Sequence, residues 1–219
     1  MNYAKMKKEE IVWIGSHKCQ KHGVFYSEHP NCYAIEQPDK TKIAFFDIEC
    51  SNLAPEFGIV ISWAFKPLGK PPVSRIITKK EVLGKDLDRP LLIECFKEMR
   101  KYDKIIGYYS TKFDVPFLRT RATMLKLDFP LYGDIKHQDV YYAVKFKFKL
   151  NRNRLDSACR SLLGNTTKTY LSGYKWIRAL QGDKDALLYV EDHNRKDVEE
   201  LERLYLVVDP FARPISKSV

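Results

Sequence analysis

The run Lys42-Ile43-Ala44-Phe45-Phe46-Asp47-Ile48-Glu49-Cys50 constrains the fold more than any other stretch of the chain. It is apolar, rich in β-formers, and bounded by Pro38-Asp39 before it and Ser51-Asn52 after it, so it reads as a buried strand. Side chains alternate across a strand, so Asp47 and Glu49 point to the same face. Two like charges on a half-buried surface repel, and desolvation adds to the cost. Oxygen-bound divalent cations are a common way to offset both. The plain alternative is a strand end that leaves the core with both acids in water. This run alone does not choose between them.

Residues 58–66 (GIVISWAFK) and 73–78 read as two further strands in an antiparallel meander. Leu92, Cys95, Phe96 and Met99 recur at helical spacing within residues 91–100, and residues 104–108 form a fourth apolar strand. Strands followed by helix and strand indicate α/β layering. Asp114 then opens a helix over residues 115–127, with Pro116 tolerated in its first turn. Capping alone accounts for that acid. Sites also form at strand C-terminal ends in α/β sheets, so the two readings are compatible.

Residues 144–150, Val-Lys-Phe-Lys-Phe-Lys-Leu, alternate apolar with basic and lead into Asn151-Arg152-Asn153-Arg154. They read either as an amphipathic strand with solvated lysines or as a basic edge that follows a phosphate backbone. Residues 155–163 form a helix stopped by Gly164, before a polar loop with Lys168. Residues 184–208 read as one long helix whose stripe holds Val190, His193, Asp197, Leu201, Leu204 and Val208. His193 and Asp197 thus face the core one turn apart, as partners in a site or in an intrahelical hydrogen bond. Glu199, Glu200 and Glu202 fall off the stripe and read as a solvated face.

Ahead of the β-rich region lies a dense cluster: His17, Cys19, His22, His29 and Cys32. The spacing Cys19-x2-His22-x6-His29-x2-Cys32 gives two close ligand pairs joined by a short loop, which suits tetrahedral zinc. Independent packing of these side chains is the alternative, and His17 is a spare ligand. The five cysteines of the chain are odd in number and unevenly placed, which argues against a disulfide framework. The expected organisation is a zinc-binding module over residues 1–38, a main domain over 39–210 and a tail over 211–219.

Four acids, Asp47, Glu49, Asp114 and Asp197, together with His193, match what two-metal phosphodiester hydrolysis needs. The acids hold two cations and the fifth group orients or deprotonates water. Asp47-Ile48-Glu49, Gly107-Tyr108-Tyr109-Ser110-Thr111-Lys112-Phe113-Asp114 and His193-x3-Asp197 resemble the three motifs of the DnaQ-like (DEDD) 3′–5′ exonucleases. They most resemble the proofreading domain of family B DNA polymerases and its stand-alone bacterial and archaeal relatives. The stretch Leu155-Asp156-Ser157-Ala158, Leu162-Leu163-Gly164 and Lys168 is similar to the segment between the second and third motifs. The resemblance covers residues 40–210. It implies an RNase H-like α/β fold, a mixed five-stranded sheet flanked by helices. It also implies two Mg²⁺ or Mn²⁺ ions on Asp47, Glu49, Asp114 and Asp197, and removal of nucleotides from a 3′ end. His137-Gln138-Asp139 resembles the segment with the family's auxiliary acid, so Asp139 is expected to support the site from behind.

The sequence departs from that pattern twice. The position five residues before Asp114, usually Asn, is Tyr109. The third motif has the four-residue spacing of the tyrosine subclass but carries His193. An imidazole accepts protons near neutral pH where a phenol does not, so His193 is expected to act as general base.

The formal charge, 38 − 28 = +10, favours a polyanionic partner. Tyr109, Phe113, Lys145, Lys147, Lys149, Arg152 and Arg154 are the expected substrate contacts, to single-stranded DNA or RNA ends with DNA favoured. Two alternatives are a nucleic-acid-binding protein on a degenerate nuclease fold and a structure-selective endonuclease. A polymerase or repair protein, where one is involved, is expected to be a separate partner. No stretch of about 18 apolar residues forms a membrane span, and the N-terminal residues lack an apolar signal core. The expected compartment is therefore the cytoplasm.

Overall fold

Faces of the first strand divide the main unit. A computed structural model describes residues 6–20, 22–29, 32–33, 36, 42–167, 169–212 and 217–218. Residues 37–41, Lys168 and most of the stretch expected as a tail lie outside them. Contacts divide the chain into two units, Met1–Lys42 and Ile43–Val219. In the first, helix α1 (Lys8–Ser16) supplies Ile14 to a small core with Cys19, Tyr26, Cys32 and Tyr33.

The second unit carries strands β1 (Ile43–Cys50), β2 (Val60–Pro67), β3 (Val73–Ile76), β4 (Lys104–Gly107), β5 (Lys136–Asp139) and β6 (Lys217–Ser218). They form one mixed sheet in the order β3-β2-β1-β4-β5-β6. β1 pairs antiparallel with β2 and parallel with β4, so the first three strands form the expected meander. The four strands read from the sequence are present, β5 makes the fifth that the resemblance implied, and the two-residue β6 adds an edge within residues 211–219. Between and after the strands come α2 (Lys79–Val82), α3 (Arg89–Met99), α4 (Asp114–Met124), α5 (Val140–Lys147), α6 (Leu155–Leu163), α7 (Gly173–Leu180) and α8 (Lys184–Val208).

Alternation along β1 sends Ala44, Phe46 and Ile48 into one core cluster and Phe45, with Ile43 beside it, into the other. Asp47 and Glu49 continue the second set. Helix α8 serves both clusters. Its N-terminal part gives Ala186, Leu187 and Val190 to the first, and its C-terminal part gives Val198, Leu201 and Leu204 to the second. His193, Asn194 and Asp197 occupy the change-over, all buried. Each fully buried leucine or phenylalanine contributes about 1.5–3 kcal/mol, so the polar middle of α8 is held by strong packing on either side.

Residues 144–150 do not form the strand that their alternation allows. Asp139 caps a helix there, its carboxylate accepting from Tyr141 N at 3.1 Å, and α5 runs to Lys147. Lys145, Lys147 and Lys149 therefore do not share a strand face. Glu200 also departs from expectation. It is fully buried, and it accepts from Thr167 N, the Thr167 hydroxyl and Arg203. A wheel finds apolar stripes but not an acid whose partners lie on another segment. Glu202 is likewise engaged, by Lys66 and by Gly69 N.

Gly107 ends β4 where the chain passes close to its own turn. A Cβ there would lie 2.0 Å from Ser110 Oγ, so only glycine fits. The start of α3 is fixed by a buried ion pair. Asp88 Oδ1 accepts from Arg121 Nη2 at 2.5 Å, and Oδ2 from Arg121 Nε at 3.1 Å and Val60 N at 3.0 Å. Arg121→Ala leaves that carboxylate buried and uncompensated, and is expected to cost about 3–5 kcal/mol in urea unfolding. Arg178→Ala, which breaks a partly exposed pair with Asp183, is expected to cost at most about 1 kcal/mol.

Candidate active site

Divergence of β1 from β4 opens the site. Parallel pairing covers Ile43–Phe45 of β1 against Lys104–Ile106 of β4. Beyond it the β1 backbone faces the turn that links β4 to α4. There Ile48 N donates to Asp114 Oδ1 at 3.1 Å. The amide between Asp47 and Glu49 thus anchors the third acid, which is 4% exposed at the first residue of α4.

Helix α8 supplies the rest. His193 Nε2 lies 3.5 Å from Glu49 Oε1 and 3.9 Å from Asp197 Oδ2. One ligand atom from each of Glu49, His193 and Asp197 lies within 4.8 Å of the others. The other ring nitrogen, Nδ1, is 2.7 Å from Thr169 Oγ1. Asp47 is held separately, its Oδ2 accepting from Asn194 Nδ2 at 2.7 Å. Asn194 Oδ1 in turn accepts from Ser62 Oγ at 3.1 Å. Sequence reasoning missed Asn194 and Thr169. Asn194 was findable, because it follows His193, precedes Asp197 by three and therefore borders the buried stripe. Thr169 had no such signal.

Asp139 caps α5 and also accepts from Tyr109 N at 2.8 Å and Thr111 N at 2.9 Å. Tyr109 has φ +64, a left-handed conformation that Asn adopts far more readily than Tyr. The two hydrogen bonds to Asp139 hold it there. Asp139 thus shapes the turn before Asp114 from behind, with its own oxygens engaged by backbone.

Asp47 and Asp197 line a cleft of about 640 Å³ with Tyr109, Tyr141, Arg154 and Tyr170. Of the expected substrate contacts, Tyr109 and Arg154 border it. Phe113 packs instead against the first core cluster, and Lys147 lines a different hollow beside Phe146. Lys145, Lys149 and Arg152 do not line the cleft, and Lys145 lies over the Tyr141 and Phe146 rings.

Burial pushes the Asp114 carboxyl up to about 7, against the N–H groups of Ile48 and Asp114 that hold it down, and the charges of Asp139 and Asp197 add to the rise. A carboxyl that is costly to ionise alone is one that a cation would ionise. Half-buried acids from β1 and buried ones from α4 and α8, all hard oxygen donors, therefore fit divalent ions.

In the first unit, Cys19, His22, His29 and Cys32 also lie with ligand atoms within 4.8 Å of one another. The spare, His17, is turned elsewhere. Its Nδ1 is 2.9 Å from Trp13 O, and its ring stacks on Trp13 at 4.1 Å.

Two outcomes follow from this geometry. Asn194→Ala, which releases Asp47, is expected to weaken Mn²⁺ binding about 10–100-fold in calorimetry, as loss of a ligand's supporting bond does elsewhere. Because folding raises the Asp114 pKa, its contribution to metal-free stability is complete below about pH 4 and is lost as pH rises through about 7. Urea midpoints in chelator are expected to show that loss between about pH 4 and about pH 7, and Asp114→Asn to remove its share.

Comparison with known proteins agrees with this geometry. A model of the RNase H superfamily matches residues 44–208. An uncharacterized protein, YprB of Bacillus subtilis (strain 168), is 26% identical over 177 residues, covering 77% of this chain and 42% of YprB. The DNA polymerase delta catalytic subunit of Oryza sativa subsp. japonica is 33% identical over 119 residues, covering 45% of this chain and 11% of that subunit. The chain thus spans less than half the length of either relative. Among the described residues no helix is long and apolar enough to cross a membrane. By its matched model the chain belongs to the RNase H superfamily, and its motifs and relatives fit the DnaQ-like nucleases of that fold.

Proposed function

We propose that this protein is a 3′–5′ exonuclease that removes nucleotides from the end of single-stranded nucleic acid, with DNA preferred. The observation that carries the reading is the convergence of Glu49, His193 and Asp197 within 4.8 Å, with Asp114 bonded to the amide between Asp47 and Glu49. Likeness to a DNA polymerase catalytic subunit supports DNA over RNA.

In this reading Asp47, Glu49, Asp114 and Asp197 hold two Mg²⁺ or Mn²⁺ ions. When bound, such ions supply positive charge against the oxygens that enter and leave the phosphorus. The protein's own groups do the rest. Asn194 fixes the Asp47 carboxylate. In the tautomer this reading requires, Nδ1–H of His193 donates to Thr169 Oγ1, 2.7 Å away, and the Nε2 lone pair faces the acids. From there Nε2 takes the proton of an attacking water. Tyr109, Tyr141 and Tyr170 line the cleft and offer ring faces on which unpaired bases stack, which tolerates any sequence. Arg154 meets the phosphates, and the net charge of +10 draws the strand in.

The test uses 5′-labelled DNA and RNA oligomers and a circular single strand, with Mg²⁺ or Mn²⁺. A ladder shortening from the 3′ end, absent with Asp47→Ala, is expected. Linear strands left intact with both ions contradict the proposal, and cutting of the circle turns it to an endonuclease. His193→Ala is expected to lower the rate about 10²–10⁴-fold with binding retained. Wild-type rates for that variant near pH 8 contradict its role as base.

A further inference from the structure

The nuclease reading gives no task to the Cys19–Cys32 cluster. We infer that Cys19, His22, His29 and Cys32 bind one structural zinc ion, through two thiolates and the Nδ1 atoms of two imidazoles, and that the N-terminal unit folds around it.

Distances support this choice. Cys19 Sγ lies 3.7 Å from His22 Nδ1, Cys32 Sγ lies 3.7 Å from His29 Nδ1, and His22 Nδ1 lies 3.2 Å from Cys32 Sγ. Zinc bonds of about 2.3 Å to sulfur and about 2.0–2.1 Å to nitrogen, at tetrahedral angles, set S and N about 3.6 Å apart. The observed separations bracket that value.

Backbone geometry brings the two pairs together by different means. Cys19 and His22 lie on a tight reversal closed by Cys19 N to Val24 O at 2.8 Å and Gly23 N to Cys19 O at 3.0 Å. Gly23 follows His22 at φ +67, where a Cβ would be strained. The Lys18–Phe25 bridge clamps the reversal. His29 and Cys32 instead share a turn in which Cys32 N donates to His29 O at 3.0 Å. A reversal and a helical turn thus each present two ligands to one point.

Chemistry selects the ion. Two sulfurs and two imidazoles suit zinc and disfavour Mg²⁺ and Ca²⁺, which seek oxygen. Binding releases both thiol protons to solvent, and the two thiolates balance the dication. Four protein ligands close the shell, the mark of a structural site. Among the described residues, Cys19 and Cys32 are also two of the five buried in the unit's core, so the ion and the packing depend on each other.

The test reads metal, not nuclease activity. The full chain, purified under reducing conditions, is assayed for zinc by mass spectrometry and for cobalt after exchange. One zinc per chain is expected, with a thiolate-to-cobalt charge-transfer band in the near ultraviolet. Cys32→Ser is expected to lose both, and His17→Ala to keep both. The double variant Glu49→Gln, Asp197→Asn, which removes oxygens from the other cluster, is also expected to keep both. Stripping zinc with a strong chelator is expected to speed amide hydrogen exchange across Lys8–Ser16. A zinc-free chain, a cobalt spectrum without the thiolate band, or zinc lost with the double variant instead of with Cys32→Ser overturns the inference. An active but zinc-free protein would overturn it and leave the nuclease proposal intact.

Discussion

A single amide organises the main unit's chemistry. Ile48 N lies between two acids of β1, past the point where β4 has stopped pairing, and donates to Asp114. Within the sheet proper that amide would belong to a neighbouring strand. Where the strands part, it must find another acceptor or remain buried without one, at a cost of about 1–3 kcal/mol. The acid at the head of α4 supplies it. One bond therefore satisfies the strand, docks the helix and ties a third carboxylate to the amide between two others.

Such an arrangement is unfavourable for acids alone, and the surrounding protein moderates that cost. Asn194 and Ser62 form a relay from β2 through α8 to Asp47. Thr169 holds His193 from outside the helix. Asp139 is fully occupied in bracing the Tyr109 turn. What is left is Asp47 and Asp197 on the cleft wall, and a cluster of Glu49, His193 and Asp197 whose mutual repulsion a cation would relieve. The rise of Asp114 to about 7 has burial as its first cause, with the charges of Asp139 and Asp197 acting in the same direction against ionisation.

Much of this was legible in the sequence because it rests on short-range periodicity. The period-two face of β1 gave Asp47 and Glu49 a common direction, and the wheel over residues 184–208 gave the observed helix with His193 and Asp197 on its buried side. Less was legible where a cap or a distant partner decides. Alternation at 144–150 looked like a strand, but the Asp139 cap and buried Val140 and Val144 made a helix. Glu200 looked solvated because Thr167 lies 33 residues away in sequence. Helix α7 went unseen, since its eight residues bury only Ala179 fully. Asn194 hid beside a more conspicuous histidine.

The central claim is that four carboxylates from β1, α4 and α8 enclose a pair of divalent ions. Anomalous diffraction from crystals soaked in Mn²⁺ with a short single strand tests it most directly. The account predicts two manganese peaks about 3.5–4 Å apart, each touched by oxygens of Asp47, Glu49, Asp114 or Asp197. A map with no manganese among those four side chains would contradict it.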